Sequence, residues 1–190
     1  MTKSQKTATY GLFTAIIVLL QLLSYFVKIG TFNLSLVLIP IILGAHLYGP
    51  KMGAIFGFVF GAVVTVCCIT GLDGGGYILF TANPLLTALI CLIKGTAAGG
   101  AAGLVSNLFK NKKSNLGIIL SAITAPVVNT GLFIIGLVVF FKDILSSWAG
   151  GTDIVTYILV GLVGVNFLIE LVINLVVAPS LLTVTKALQK

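Results

Sequence analysis

Hydrophobic residues run in six long stretches along the chain, separated by short segments rich in polar residues, glycine and proline. Residues 52–72 and 95–109 contain no charged side chain at all. A helix on the surface of a soluble protein would carry a polar stripe, whereas about 20 apolar residues in a helix cross a hydrocarbon core of ~30 Å. The pattern predicts an all-α membrane protein, a single domain over residues 1–190, with six transmembrane helices at 8–27, 34–49, 52–70, 84–108, 116–141 and 155–185.

The segments between these stretches carry turn and cap signals. Residues 48–51 read as a tight turn, and residues 71–83 are predicted as a longer loop. Asn83 and Pro84 are typical of a helix start, with Asn83 as the cap. Residues 146–153, which include Trp148, are predicted as a linker before the last helix.

Composition and charge place the protein in the membrane and orient it. Hydrophobic residues make up 58% of the chain and charged residues 8%, against about a quarter charged in soluble domains. If the N-terminus is inside, the outer ends of the helices carry two lysines, Lys28 and Lys142, and the cytoplasmic ends carry eight. Because basic residues are enriched on the cytoplasmic side, this predicts cytoplasmic N- and C-termini. The net charge of +7 is then explained by the orientation of the protein in the membrane and does not indicate nucleic-acid binding. The cytoplasmic ends carry Lys3, Lys6, Lys51, Lys110, Lys112, Lys113, Lys186 and Lys190.

Small residues recur at four-residue spacing in three helices, which lets helix backbones approach closely in lipid. In the third and fourth stretches we interpret them as packing positions within the chain, namely Gly53, Gly57, Gly61, Gly99 and Gly103. On the first helix we predict a partner interface, formed by Ala8, Gly11 and Ala15.

Polar side chains at membrane depth are costly, so each one is a candidate functional residue. Lys94 and Glu170 lie near the middle of their helices, and Asn129 follows Pro126. Asn166, Glu170 and Asn174 share one helix face. We predict a polar pocket open to the outer side, with Lys94 meeting an anionic group. Its predicted binding residues are Gln21, Tyr25, Asn83, Lys94, Asn129, Asn166 and Glu170.

Several alternatives stay open for these residues. Lys94 and Glu170 could form a buried structural ion pair, or serve an ion-coupled secondary carrier; a membrane scaffold subunit without a ligand is a third possibility. The glycines that follow Asp73 lack the ending of a phosphate-binding loop, so we predict a flexible lid over the pocket, formed by Asp73, Gly74, Gly75 and Gly76.

The residue types present argue against an enzyme or a metal protein. With four acids and one histidine in the chain, no catalytic triad, carboxylate pair or histidine cluster is available. Cys67, Cys68 and Cys91 lack metal-ligand spacing and are interpreted as buried small hydrophobes. His46 is interpreted as an interfacial residue. No enzyme activity, cofactor or metal is expected.

Six motifs resemble, in order, the substrate-binding (S) component of energy-coupling factor (ECF) vitamin transporters, and the resemblance covers nearly the whole chain. They are NLSLVLIPIILGA at 33–45, YGPKMGA at 48–54, GFVFG at 57–61, NP at 83–84, IKGTAAG at 93–99 and PVVNTG at 126–131. The family's first helix usually carries A-x-x-x-A, and here Gly11 and Ala15 take those positions.

The resemblance implies a receptor of the bacterial cytoplasmic membrane that captures a vitamin outside the cell. It implies a transmembrane coupling subunit and two cytoplasmic ATPase subunits as partners. The chain is most similar to pantothenate-type members, and Lys94 flanked by amides suits that carboxylate-bearing vitamin. Riboflavin is the alternative, for which the sequence offers few outer-half aromatic residues: Tyr25, Tyr77, Phe80 and Tyr157.

Overall fold

The structure, a computed structural model, describes residues 3–26, 28–29, 32–33, 36–109, 114–162 and 164–188. Lys110, Lys112, Lys113 and Lys190, which contribute to the predicted orientation, lie outside these residues. The helices are α1 (Lys3–Ser24), α2 (Leu38–Tyr48), α3 (Pro50–Thr70), α4 (Gly74–Ala82), α5 (Pro84–Phe109), α6 (Ser114–Phe140), α7 (Lys142–Ala149), α8 (Ile154–Thr156), a π-helix (Tyr157–Leu162) and α9 (Gly164–Leu188). A short antiparallel pair, β1 (Lys28–Ile29) and β2 (Phe32–Asn33), follows α1.

Five helical segments of the described chain are long and apolar enough to cross a membrane. They are α1, α3, α5, α6 and the run from Ile154 to Val177. Helix α2 has 11 residues, about 16 Å at 1.5 Å per residue, and is therefore about half the ~30 Å core in length. The predicted all-helical, multi-span character is confirmed, while the count of six spans and the side of the termini remain predictions.

The centre of the bundle is the contact between α3 and α5, where glycines bring the two backbones together. A Cβ added at Gly57 would overlap the carbonyl oxygen of Gly95, and one added at Gly53 would overlap that of Gly99. Gly103 packs in the same way on Pro50. The predicted packing of these glycines within the chain is thus confirmed. Because backbone meets backbone here, any side chain at these positions would push the helices apart.

The short helix α2 is buried inside the bundle, in contact with α1, α3, α5 and α6. Leu38, Ile41 and Ile42 are fully buried. His46, interpreted from the sequence as an interfacial residue, is buried among these helices at 1% exposure. Its Nδ1 lies 2.6 Å from the Ser106 hydroxyl, so this imidazole ties α2 to α5.

The predicted loop at 71–83 is wrong, because most of it is helix α4. Gly71 ends α3 in the left-handed conformation, at φ 78°. Asp73 then caps α4, its Oδ1 accepting a hydrogen bond of 2.9 Å from the Gly76 amide. Three glycines have low helix propensity, and the aspartate cap offsets part of that cost.

Two further differences affect the last third of the chain. Part of the predicted linker at 146–153 is helical, since α7 runs from Lys142 to Ala149. The predicted helix at 155–185 is interrupted by the π-helix Tyr157–Leu162. A π-turn changes which residues of a helix share a face, and such turns occur often at functional sites.

Candidate functional site

A cavity of about 260 Å³ lies at one end of the bundle. Helices α4 and α7 lie at this end. Its volume is just below the ~300–1,000 Å³ common for small-molecule sites. The cavity is lined by Gln21, Ser24, Tyr25, Phe60, Val64, Cys68, Leu72, Asp73, Gly74, Gly75, Gly76, Leu79, Thr87, Ile90, Cys91, Lys94, Asn129, Thr130, Phe133, Trp148, Leu162, Phe167 and Glu170.

Lys94 is the cation in the wall of this cavity. Its ammonium lies 4.7 Å from the centre of the Phe133 ring and 6.0 Å from that of Phe60. Both distances fit a cation–π contact, which attracts the ammonium without accepting a hydrogen bond. In the described part of the chain Lys94 makes no hydrogen bond and no ion pair, so its donors are available to a ligand.

Glu170 of α9 and Asn129 of α6 line the cavity and are more than nine-tenths buried, at 9% and 7% exposure. Glu170 Oε1 and Asn129 Oδ1 have no hydrogen-bond partner. The described residues contain no ion pair within 4.0 Å between Glu170 and Lys94. The buried structural ion pair, which the sequence left open as an alternative, is therefore not formed. Unpaired buried acceptors are costly, which makes both groups binding candidates.

Gln21 and Tyr25 form a polar pair on the α1 side of the cavity. The Gln21 side-chain amide donates a 2.9 Å hydrogen bond to the Tyr25 hydroxyl. Both residues are buried, although most of α1 faces outward. The two predicted residues are therefore brought together, at the cavity, by their four-residue spacing.

Asp73 and the three glycines after it lie at the cavity as the first turn of α4. A Cβ added at Gly76 would overlap the Cys68 sulfur, so this glycine lets α4 pack closely on α3. Cys68 and Cys91 also line the cavity. The segment predicted as a flexible lid thus borders the cavity as a capped helix; its role as a lid remains a prediction.

Other predicted site residues lie away from the cavity. Asn83 does not line it; its Oδ1 accepts a 3.0 Å hydrogen bond from the Leu86 amide, which makes it the predicted cap of α5. The Asn166 side chain lies outside the described part of α9. Ala8, Gly11 and Ala15 are exposed on α1, and no atom lies within 4 Å of a Cβ built at Gly11.

Apart from Tyr25, the sequence reasoning missed the aromatic residues of the cavity. Phe60, Phe133 and Phe167 lie in apolar helices whose outer faces are equally apolar, so nothing in the pattern distinguishes them. Trp148 lies in the segment that was predicted as a linker, although it lines the cavity from α7. The strong segregation of polar and apolar residues over 142–149 is the signal that could have indicated that helix.

The described lining of the cavity combines charged, amide and aromatic groups. No cluster of three or more histidine, cysteine or acidic side chains that could hold a metal is found among the described residues. Opposite charges, amides and aromatic rings line a small, partly open volume. Such an arrangement is suited to binding a small polar solute.

Comparison with known families decides the class of the protein. The family described as "ECF transporter, substrate-specific component" matches residues 5–182. The chain belongs to this family. It is therefore a membrane-embedded transport subunit that works with an ECF module, and it is not an enzyme. A comparison with curated proteins finds no significant match to this S component.

Proposed function

We propose that this S component captures a vitamin-type solute from the outer side of a bacterial cytoplasmic membrane. It delivers the solute inward after joining a transmembrane coupling subunit and two cytoplasmic ATPase subunits. The observation that carries the proposal is the cavity in which Lys94 and Glu170 face a shared space without pairing. A scaffold subunit has no need for unpaired charged groups around a cavity, since each is costly to bury.

Pantothenate is the first candidate solute, because the Lys94 ammonium can bind its carboxylate and Asn129 can bind its amide or hydroxyl groups. Riboflavin is the second, and a specific observation favours it. Trp148, Phe60 and Phe133 line the cavity and offer the aromatic surfaces that a flavin ring would stack on. The cavity therefore contains aromatic surface that the sequence pattern did not reveal.

Uptake into vesicles tests the transport role. The S component is reconstituted with and without a coupling subunit and ATPase pair, and uptake of labelled pantothenate or riboflavin is followed. Uptake that needs ATP and all subunits is the expected result. Uptake by the S component alone under an imposed ion gradient would instead favour a secondary carrier. Calorimetric titration with the two vitamins then distinguishes the solutes.

The docking surface for the coupling subunit is proposed to be the exposed small-residue face of α1, formed by Ala8, Gly11 and Ala15. Small residues allow close approach of a second helix in lipid. Ala15→Leu is expected to abolish ATP-driven uptake while solute binding is kept. Val172→Leu, on the exposed face of α9, is the matched control and is expected to leave uptake unchanged. Equal uptake by both variants would place the docking surface elsewhere.

A further inference from the structure

The charges of the cavity restrict the charge of its ligand. Two acidic side chains, Asp73 and Glu170, and one cation, Lys94, are present among its described lining residues. Asp73 is engaged with the amide of Gly76, whereas Glu170 has an oxygen without any partner. A ligand with a net negative charge would add a third anion to a small, partly enclosed space, where charges interact more strongly than in bulk water.

Glu170 needs a hydrogen-bond donor that the protein does not provide. Asn174 donates to the backbone carbonyl of Glu170 at 2.8 Å and not to its carboxyl group. Asn129, also at the cavity, adds a second oxygen without a donor. Leaving such acceptors unpaired is unfavourable, and more so for a charged group. A ligand that donates hydrogen bonds removes this cost.

Lys94 sets the opposite requirement. Its ammonium contacts two ring faces and donates to no acceptor in the described residues. A ligand oxygen or ring nitrogen can accept from it. The ligand therefore needs both a donor and an acceptor, and the aromatic walls, which include Trp148, favour a flat ring between them.

We infer that the ligand is a planar nitrogen heterocycle without net negative charge, which donates an N–H hydrogen bond to Glu170 and accepts one from Lys94. The inference rests on the proposed capture function and names the substrate class of the same cavity. It separates the two candidate vitamins, since riboflavin has a ring N–H between two carbonyl groups and pantothenate is an anion without a ring.

Trp148 makes the test direct, because it is the one tryptophan of the chain and it lines the cavity. Its fluorescence in the detergent-purified full chain is titrated with riboflavin, adenine, nicotinate and pantothenate. Each ring that carries an N–H donor is paired with a methylated form that has none, 3-methylriboflavin for riboflavin and 6-dimethylamino-9-methylpurine for adenine. Calorimetry repeats each titration, so that binding without a fluorescence change is also detected.

The expected result is that a ring with its N–H binds at least about tenfold more tightly than its methylated form, as for a hydrogen bond to a charged group. Glu170→Gln should weaken the parent ring at least about tenfold and narrow its preference over the methylated form. Asp143→Asn, an exposed acid on α7 outside the cavity, is the matched control and should change neither affinity.

Three outcomes would overturn the inference. One is binding of pantothenate or nicotinate but of neither parent ring, which leaves the capture function intact with a different ligand class. Another is an affinity for the parent ring that Glu170→Gln leaves unchanged. The third is no binding by any of these compounds, after which ATP-dependent uptake by the full complex still decides the capture function on its own.

Discussion

Replacing Gly57 by alanine tests the backbone contact that holds α3 against α5. A Cβ at this position would overlap the Gly95 carbonyl oxygen and lie 2.7 Å from the carbonyl carbon. Ordinary contact begins near 3.4 Å, so the helices must separate here by at least 3.4 − 2.7 = 0.7 Å. In lipid, van der Waals packing is a main source of helix association, and separation reduces it directly.

The size of the effect follows from that displacement. A gap of ~0.5–1 Å removes about a quarter to a half of the attraction at each contact, and an overpacked methyl group costs ~1–3 kcal/mol. Alanine also gains ~1 kcal/mol over glycine in helix propensity, which hides part of the loss. Gly100→Ala is the matched control, because its Cβ would lie 3.6 Å from the Ala54 Cβ, an ordinary contact.

Thermal unfolding of the two variants in the same detergent isolates the packing cost, since the gain in propensity is common to both. A difference of ~1–3 kcal/mol corresponds to roughly 2–12 °C in Tm at about 2–4 °C per kcal/mol, with Gly57→Ala the less stable. Solute affinity should fall in the same variant, because Phe60 and Cys91 line the cavity from these two helices. Equal melting temperatures would refute close backbone packing as the main stabilising contact.

Further predictions concern single side chains. Lys94→Ala and Asn129→Ala are each expected to weaken solute binding roughly tenfold, because each removes a buried hydrogen bond to the solute. Calorimetry should show the loss of affinity at an unchanged melting temperature, and unchanged affinity in both variants would refute the pocket. Asn83→Ala should lower stability by ~1 kcal/mol through loss of the α5 cap, with the dissociation constant unchanged, and a large loss of affinity would return Asn83 to the binding site. Bound solute should slow maleimide labelling of Cys68, read by mass spectrometry in a Cys67→Ser, Cys91→Ser background where Cys68 is the one remaining thiol; equal labelling rates would place the solute away from that wall.

The sequence predicted the long helices well because membrane helices are defined by length and apolar content. Residues 52–70 and 84–108 coincide closely with α3 and α5. Lys94 and Glu170 were also found, since a charge in an apolar run is conspicuous. Gln21 and Tyr25 followed from their spacing, and the structure pairs them.

What the sequence could not provide is the direction each apolar side chain faces. In water a buried face stands out against a polar one, but in lipid both faces are apolar. Phe133 at the cavity and Ile135 on the outer surface look alike in the pattern. The glycine run at 74–76 predicts a loop by propensity, and only the Asp73 cap and the close contact with Cys68 explain its helix.

The proposed function gives helix α1 two separate surfaces, one at the cavity and one for docking of the coupling subunit. Gln21 faces the cavity. Gly11, ten residues earlier and about 15 Å away along the axis, is exposed, and no atom lies within 4 Å of the position that a methyl group would take there. Mutations that alter solute preference and mutations that alter docking therefore fall on separate residues of one helix. Selection can then change the solute specificity of such a receptor while its docking to the coupling subunit stays constant.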